Sequence, residues 1–172
     1  MEPIASLAAR LALEPHPEGG FFRRWYTSAA ALPAGAAAPA AAPAAGAPPP
    51  RACASSILFA LPRGGTSSLH RLGSSEELWL HQGGGALTVV QVAADGGVAE
   101  ARVLPGAPLV VPAGALFGAY VDGAAEEAYA LVCCVVVPGF VWEDFEMPEK
   151  AALLAQFAGK PEALAAIQRL CR

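Results

Sequence analysis

The sequence predicts an all-β chain whose strands fold back on one another as an antiparallel sandwich or barrel, with helices only at its ends. Three observations predict it. Short apolar runs recur at near-even spacing between residues 55 and 137, each bounded by Gly, Pro or Asp-Gly. Valine, leucine and aromatic residues fill those runs, and β-branched and aromatic side chains fit a pleated surface. Helical spacing of apolar residues appears only before Pro15 and after Pro148.

Taken in order, Ile4, Leu7 and Leu11 mark a short amphipathic helix that ends before Pro15. The turn Pro15-His16-Pro17-Glu18-Gly19-Gly20 leads into a strand, Phe21-Phe22-Arg23-Arg24-Trp25-Tyr26-Thr27. Residues 29–50 are almost entirely Ala, Pro and Gly. Proline removes backbone donors and alanine has little surface to bury, so a flexible surface loop without chemistry is expected there. Strands are predicted over 55–61, 67–71, 76–82, 86–93, 98–104, 108–112, 115–121 and 128–137, with Asp95-Gly96 marking a hairpin. Leu153, Leu154 and Phe157 mark one C-terminal helix, and Leu164, Ile167 and Leu170 a second after Pro161, both expected to cover the outside of the sheets.

A chain of 172 residues fits a single domain spanning 1–172. Its net charge of −4 and scattered basic residues exclude a phosphate-backbone footprint, so no nucleic-acid partner is expected. No apolar run is long enough for a membrane span, and the N-terminus has Glu2 where a signal peptide has its basic region. A cytoplasmic protein without a membrane partner is expected. Cys53, Cys133, Cys134 and Cys171 form no Cys-x-x-Cys pair and read as reduced, buried thiols, the adjacent two pointing to opposite faces of a strand.

Two motifs carry the functional reading. In the first, Gly64 is followed after five residues by His70, with Glu77 seven positions further on. In the second, Gly106 is followed after five residues by Pro112-Ala113-Gly114, then two residues and Phe117. Both resemble the two cupin motifs. In metal-binding cupins the first carries His-x-His and the second a histidine after Pro-x-Gly; here those positions are Leu72 and Phe117. The blocks Pro15–Arg23, His70-Arg71-Leu72, Glu77-Leu78-Trp79, Val111-Pro112-Ala113-Gly114 and Pro138–Glu146 are more specifically similar to the DUF985 (cupin_5) family. That resemblance implies a double-stranded β-helix, the cupin jelly-roll barrel, often dimeric, and no known reaction. Leu116 and Gly85 depart from it, standing where Trp and Asp are common.

Residues two apart on a strand share a face, so Glu77, Trp79 and His81 are expected to project together, as are His70 and Leu72. His70 and Glu77 are the candidate catalytic pair, because a carboxylate beside an imidazole orients it and tunes it for proton transfer. Arg23, Trp79, His81 and Phe117 are the candidate ligand-binding residues, with Arg23 matched to the family's arginine. Each has a plainer reading: His70 as a hydrogen-bonded core histidine, Trp79 as core, His81 as a strand-end residue. His16 and Glu18 read as parts of a Pro/Gly-fixed turn, and Glu143, Asp144 and Glu146 as a solvated loop. The resulting expectation is a cavity for a small polar ligand, such as a sugar or nucleotide-sugar, with isomerase or epimerase chemistry needing no metal or other cofactor, in a homodimer. One alternative is a non-catalytic sensor or storage-like protein. The other is a divalent-metal oxygenase, which needs His81 to join His70 and Glu77.

Overall fold

The computed structural model describes residues 2–33, 51–124 and 126–171. Helix α1 (Ile4–Leu11) buries Leu7, and Ala12 closes it in the left-handed conformation (φ 51°). Strands β1 (Glu14–Pro15) and β2 (Phe21–Thr27) pair across a tight turn. In that turn His16 N donates to Gly20 O (3.1 Å) and Gly19 N to His16 O (3.0 Å). Gly20 has φ 70°, and a Cβ there would lie 2.6 Å from Ala60 O, so only glycine lets the turn press against its neighbour. The expected loop over 29–50 lies outside the described residues from 34 onward; its described ends are joined by a bridge between Ala31 and Ala52.

The remaining strands are β3 (Ser55–Pro62), β4 (Thr66–Leu72), β5 (Glu76–Gly84), β6 (Leu87–Val92), β7 (Val98–Val103), β8 (Leu109–Val111), β9 (Leu116–Tyr120), β10 (Tyr129–Val137) and β11 (Phe145–Glu146). They form two sheets, ordered β1-β2-β3-β10-β5-β8 and β11-β4-β9-β6-β7. The inner faces meet in one core, where Phe59, Trp79, Val111 and Val132 of the first sheet pack with Leu87, Val89, Val103 and Phe117 of the second.

The expected closed barrel is not what forms. Among the described residues no ladder joins the two sheets: β8 pairs with β5 alone, and β7 with β6 alone. Face-to-face packing of two open sheets buries every second residue just as a closed sheet does, so alternation in sequence does not distinguish them. The local chemistry also limits pairing at this edge. Pro108 and Pro112 flank the three residues of β8 and have no N–H to extend a ladder.

Helices α2 (Lys150–Gln156) and α3 (Pro161–Leu170) follow. Proline at the first position of α3 suits a helix start, where its missing N–H has no intrahelical partner to lose. Ala163, Ala166, Ile167 and Leu170 form its buried stripe and pack, with Leu153 and Phe157 of α2, on Leu69, Val90, Val92 and Leu116. The helices thus cover the outer face of the five-stranded sheet. Cys133 and Cys134 are buried, Cys53 and Cys171 half-buried, and all four are free thiols.

Candidate functional site

One cavity opens where the β1–β2 turn crosses the ends of both sheets. It comprises about 530 Å³ of empty space including its mouth, of which about 40 Å³ can hold the centres of water molecules. The turn contributes His16 and Glu18, β4 contributes His70, β5 contributes Glu77 and β10 contributes Cys134. Phe22 and Arg24 enter from β2, since residues two apart share a face. Phe140, Trp142 and Phe145 form the rim.

Glu18 sits at the centre of the floor. Its Oε2 lies 3.4 Å from His70 Nε2 and 3.5 Å from His16 Nδ1, while Ser67 Oγ donates to Oε1 at 2.9 Å. His70 Nδ1 donates to Ser68 O (2.8 Å), and its ring packs on Phe117 with centroids 4.2 Å apart. Burial raises the Glu18 carboxyl to about 8, against the opposing hydrogen bond from Ser67. Burial likewise raises Glu77 to about 7; His70 opposes that rise, Glu18 adds to it, and a hydrogen bond with Cys134 opposes it. Burial lowers His16 to about 4, helped by His70. It also lowers His70, against the pull of Glu77 and of the Ser68 carbonyl. The same burial drives the Cys134 thiol upward, so it stays protonated at neutral pH.

The rim is held by a second buried cluster. Arg51 donates from Nε to Gly139 O (2.6 Å), from Nη1 to Ser74 Oγ (2.7 Å), and from Nη2 to Ser75 Oγ (2.6 Å) and Asp144 Oδ2 (2.7 Å). Ser74 completes the ring by donating its N–H and Oγ to Asp144 Oδ1, both at 2.9 Å. Burial alone would raise the Asp144 carboxyl, but the hydrogen bonds from Arg51, Ser74 and Ser75 and the guanidinium charge hold it below the usual range. The clamp ties the segment carrying Phe140, Trp142 and Phe145 to the β4–β5 turn.

The family model described as Cupin superfamily (DUF985) matches residues 5–148, which include every residue lining this cavity. The chain belongs to this family. Two solved structures agree over essentially the whole length. A protein from Shewanella oneidensis is 32 % identical with a TM-score of 0.80, covering 100 % of this chain and 99 % of that one. A hypothetical protein from Leishmania major is 30 % identical with a TM-score of 0.79, covering 98 % of each. A more distant structure, CapF with the inhibitor 3-isopropenyl-tropolone, is 13 % identical with a TM-score of 0.54 over 80 % of this chain and 34 % of that one, a likeness of fold alone. No curated protein matches.

Within this cupin-superfamily chain, the cavity brings together His70 and Glu77 from the sequence-derived candidates. Others lie elsewhere. Arg23 is exposed and does not line the cavity; its neighbour Arg24 does, with its guanidinium 5.2 Å from the centre of the Phe140 ring. Trp79 is 1 % exposed in the core between Phe59 and Phe117. Phe117 backs His70 from the core side without lining the cavity. His81 faces away, its Nε2 donating to Gly85 O at 3.1 Å, so the third donor required by the metal-oxygenase alternative is not brought to His70 and Glu77. Among the described residues, no group of three or more His, Cys, Asp or Glu is arranged to hold a metal ion.

The sequence reads His16 and Glu18 as parts of a structural turn and Asp144 as part of a solvated loop, and it does not single out Arg24; the structure instead lines the cavity with His16, Glu18 and Arg24 and buries Asp144 against Arg51. A signal for the first two was present: two ionisable side chains inside a turn stiffened by two prolines and two glycines, leading directly into a strand. Arg24 shares a face with Phe22, but nothing in the sequence says that this face, rather than that of Arg23, meets the cavity. Nothing local marked Asp144, whose partner Arg51 lies far off in sequence.

Proposed function

We propose that this protein binds a small polar ligand, of the class of sugars or nucleotide-sugars, and catalyses a metal-independent proton transfer of the isomerase or epimerase type. The observation that carries the reading is the convergence of two carboxyls and two imidazoles in one cavity, with both carboxyls shifted toward neutrality. General acid–base groups work best with pKa values near the working pH, and such shifts concentrate where chemistry is done. His70 and Glu77 are the proton-handling pair. The 54 % exposed indole of Trp142 offers a stacking face at the rim, in the role that sequence reasoning gave to Trp79. Arg24 at the rim supplies a positive charge for a ligand oxygen or phosphate.

The test is to incubate the protein in deuterium oxide with a panel of aldoses, ketoses and nucleotide-sugars and follow carbon-bound deuterium by mass spectrometry. Exchange that falls about 100-fold in both His70→Ala and Glu77→Gln, with both variants folded, supports the reading. Binding without exchange supports the competing non-catalytic sensor. Absence of binding across the panel sinks both.

A homodimer belongs to the same proposal. On the outer face of the six-stranded sheet, Trp25, Val110 and Val137 are exposed, next to half-buried Leu78 and Val135. A contiguous apolar face of this kind suits a second copy of the chain. Analytical ultracentrifugation of wild type and Val135→Glu checks it: a dimer that dissociates in the variant is expected, and a wild-type monomer at micromolar concentration refutes it.

A further inference from the structure

We propose that Glu18 is the proton-bearing acid of the cavity, holding its proton on Oε2 between two histidine nitrogens and exchanging it with His70. This rests on the acid–base reading above and assigns its central group to the turn that sequence reasoning treated as structural.

Each contact around Glu18 either has a hydrogen between its two atoms or sets two lone pairs against each other. A carbonyl oxygen only accepts, so the 2.8 Å contact from His70 Nδ1 to Ser68 O places a hydrogen on Nδ1. Neutral His70 therefore presents a bare Nε2 to Glu18 Oε2, 3.4 Å away. At His16, the Glu18 backbone N–H donates to Nδ1 at 3.4 Å, so that nitrogen is also bare when the ring is neutral, and it lies 3.5 Å from the same Oε2. Two bare nitrogens this close to an ionised carboxylate oxygen would repel it in a site with little water to screen them. A proton on Oε2 can be donated to one of these nitrogens, His70 Nε2, and it removes the full negative charge facing the other. Oε1 already accepts the Ser67 hydroxyl, so it is not the oxygen that needs the proton. The other groups facing Glu18 do not change this. Glu77 from β5, itself raised to about 7, brings no positive charge, the Cys134 thiol from β10 is protonated, and Arg24 from β2 lines the cavity without a hydrogen bond to Glu18. The raised Glu18 and lowered His16 and His70 agree with this assignment.

The chemistry that follows is conservative. The Oε2–H bond breaks as a bond to His70 Nε2 or to a ligand oxygen forms, and the reverse transfer restores the neutral acid. The carboxyl can thus deliver a proton to a ligand and recover one without any metal or redox partner.

The test uses the full-length, ligand-free protein with ¹³C-labelled glutamate carboxyls and ¹⁵N-labelled imidazoles, followed by NMR from pH 5 to 9. Between pH 6 and 7 the expected spectrum shows Glu18 as a neutral acid, His70 with its hydrogen on Nδ1, and His16 with its hydrogen on Nε2. The Glu18 carboxyl should titrate near 8, and Glu18→Gln should remove that titration. An ionised Glu18 beside an imidazolium in that range overturns the proposal. So does one tightly held divalent metal per chain that shifts both ring nitrogens, because a cation then occupies the place assigned to the proton. In the deuterium-exchange assay, folded Glu18→Gln should lose activity about 100-fold, and wild-type rates in that variant also overturn the proposal. If wild type exchanges nothing, the proposed function falls and the NMR result alone decides this assignment.

Discussion

The Arg51–Asp144 clamp anchors the rim of the cavity and His16, Glu18, His70 and Glu77 line its floor, and both clusters bury ionisable side chains. Arg51 and Asp144 are each 5 % exposed, Glu18 is 5 %, Glu77 is 7 % and His70 is 2 %, so burial does not distinguish the clusters. Compensation does. In the clamp a guanidinium meets a carboxylate at 2.7 Å, and serine hydroxyls and a backbone carbonyl take up further polar contacts. Among the described residues no such cation contacts the floor's carboxyls, and its carboxyl and imidazole groups move toward their neutral forms instead. A charged, paired cluster holds structure; a cluster neutralised by shifted protonation keeps protons that a ligand can use.

The largest expected effect comes from unbalancing the clamp. Removing one partner leaves the other as an uncompensated buried charge, so Arg51→Met or Asp144→Ala should each destabilise the fold by about 3–5 kcal/mol. Urea denaturation at pH 7 measures it. A loss under about 1 kcal/mol in both variants would erase the distinction between the two clusters.

The floor should behave in the opposite sense. Glu18 and Glu77 are raised from 4.5 to about 8 and about 7, so the folded state binds more protons than the unfolded one within those ranges, and stability falls as pH rises through them. His16, lowered from 6.5 to about 4, works against this only below 6.5, where stability rises with pH. Above 6.5 the carboxyls act alone. The wild-type protein should therefore lose stability on the order of a few kcal/mol between pH 6.5 and 8.5. Glu18→Gln and Glu77→Gln should each flatten that slope and, at pH 8.5, match or exceed wild type. Thermal melts across the range check both, and a wild-type profile flat above pH 6.5 would contradict the neutral-floor picture.

The smallest effect is expected beside the clamp, in the Ala/Pro-rich stretch. Leu32 N donates to Arg51 O (2.7 Å) and Ala31 bridges to Ala52, so the chain on either side of residues 34–50 is already brought together. Loop closure changes by about 0.6 kcal/mol per doubling of length. Replacing 34–50 by a short Gly/Ser linker should move stability by about 1 kcal/mol or less, with Arg51 still in place. A loss as large as that of Arg51→Met would mean that the stretch helps to hold the clamp.

Much of the fold was legible along the chain because strand and turn signals are local. The alternation in 76–82, Asp95-Gly96 between two apolar runs, and the stripe of Leu164, Ile167 and Leu170 each depend on neighbours within a few residues, and the elements form where those patterns lie. His70 and Glu77 were legible from the cupin-like spacing Gly64–His70–Glu77, although strand spacing alone fixes a face only within each strand and β4 and β5 belong to different sheets. Sheet closure was not, because it depends on whether two edge strands distant in sequence meet, which alternation along the chain does not encode. The placement of Arg24 rather than Arg23, and the seating of His16 and Glu18 under His70, followed from how the β1–β2 turn packs over the sheet ends. The pairing of Arg51 with Asp144 spans 93 positions. A sequence determines which residues are ionisable and which local shapes they prefer; only the packed structure determines which of them lose water, and whether a charge or a proton takes its place.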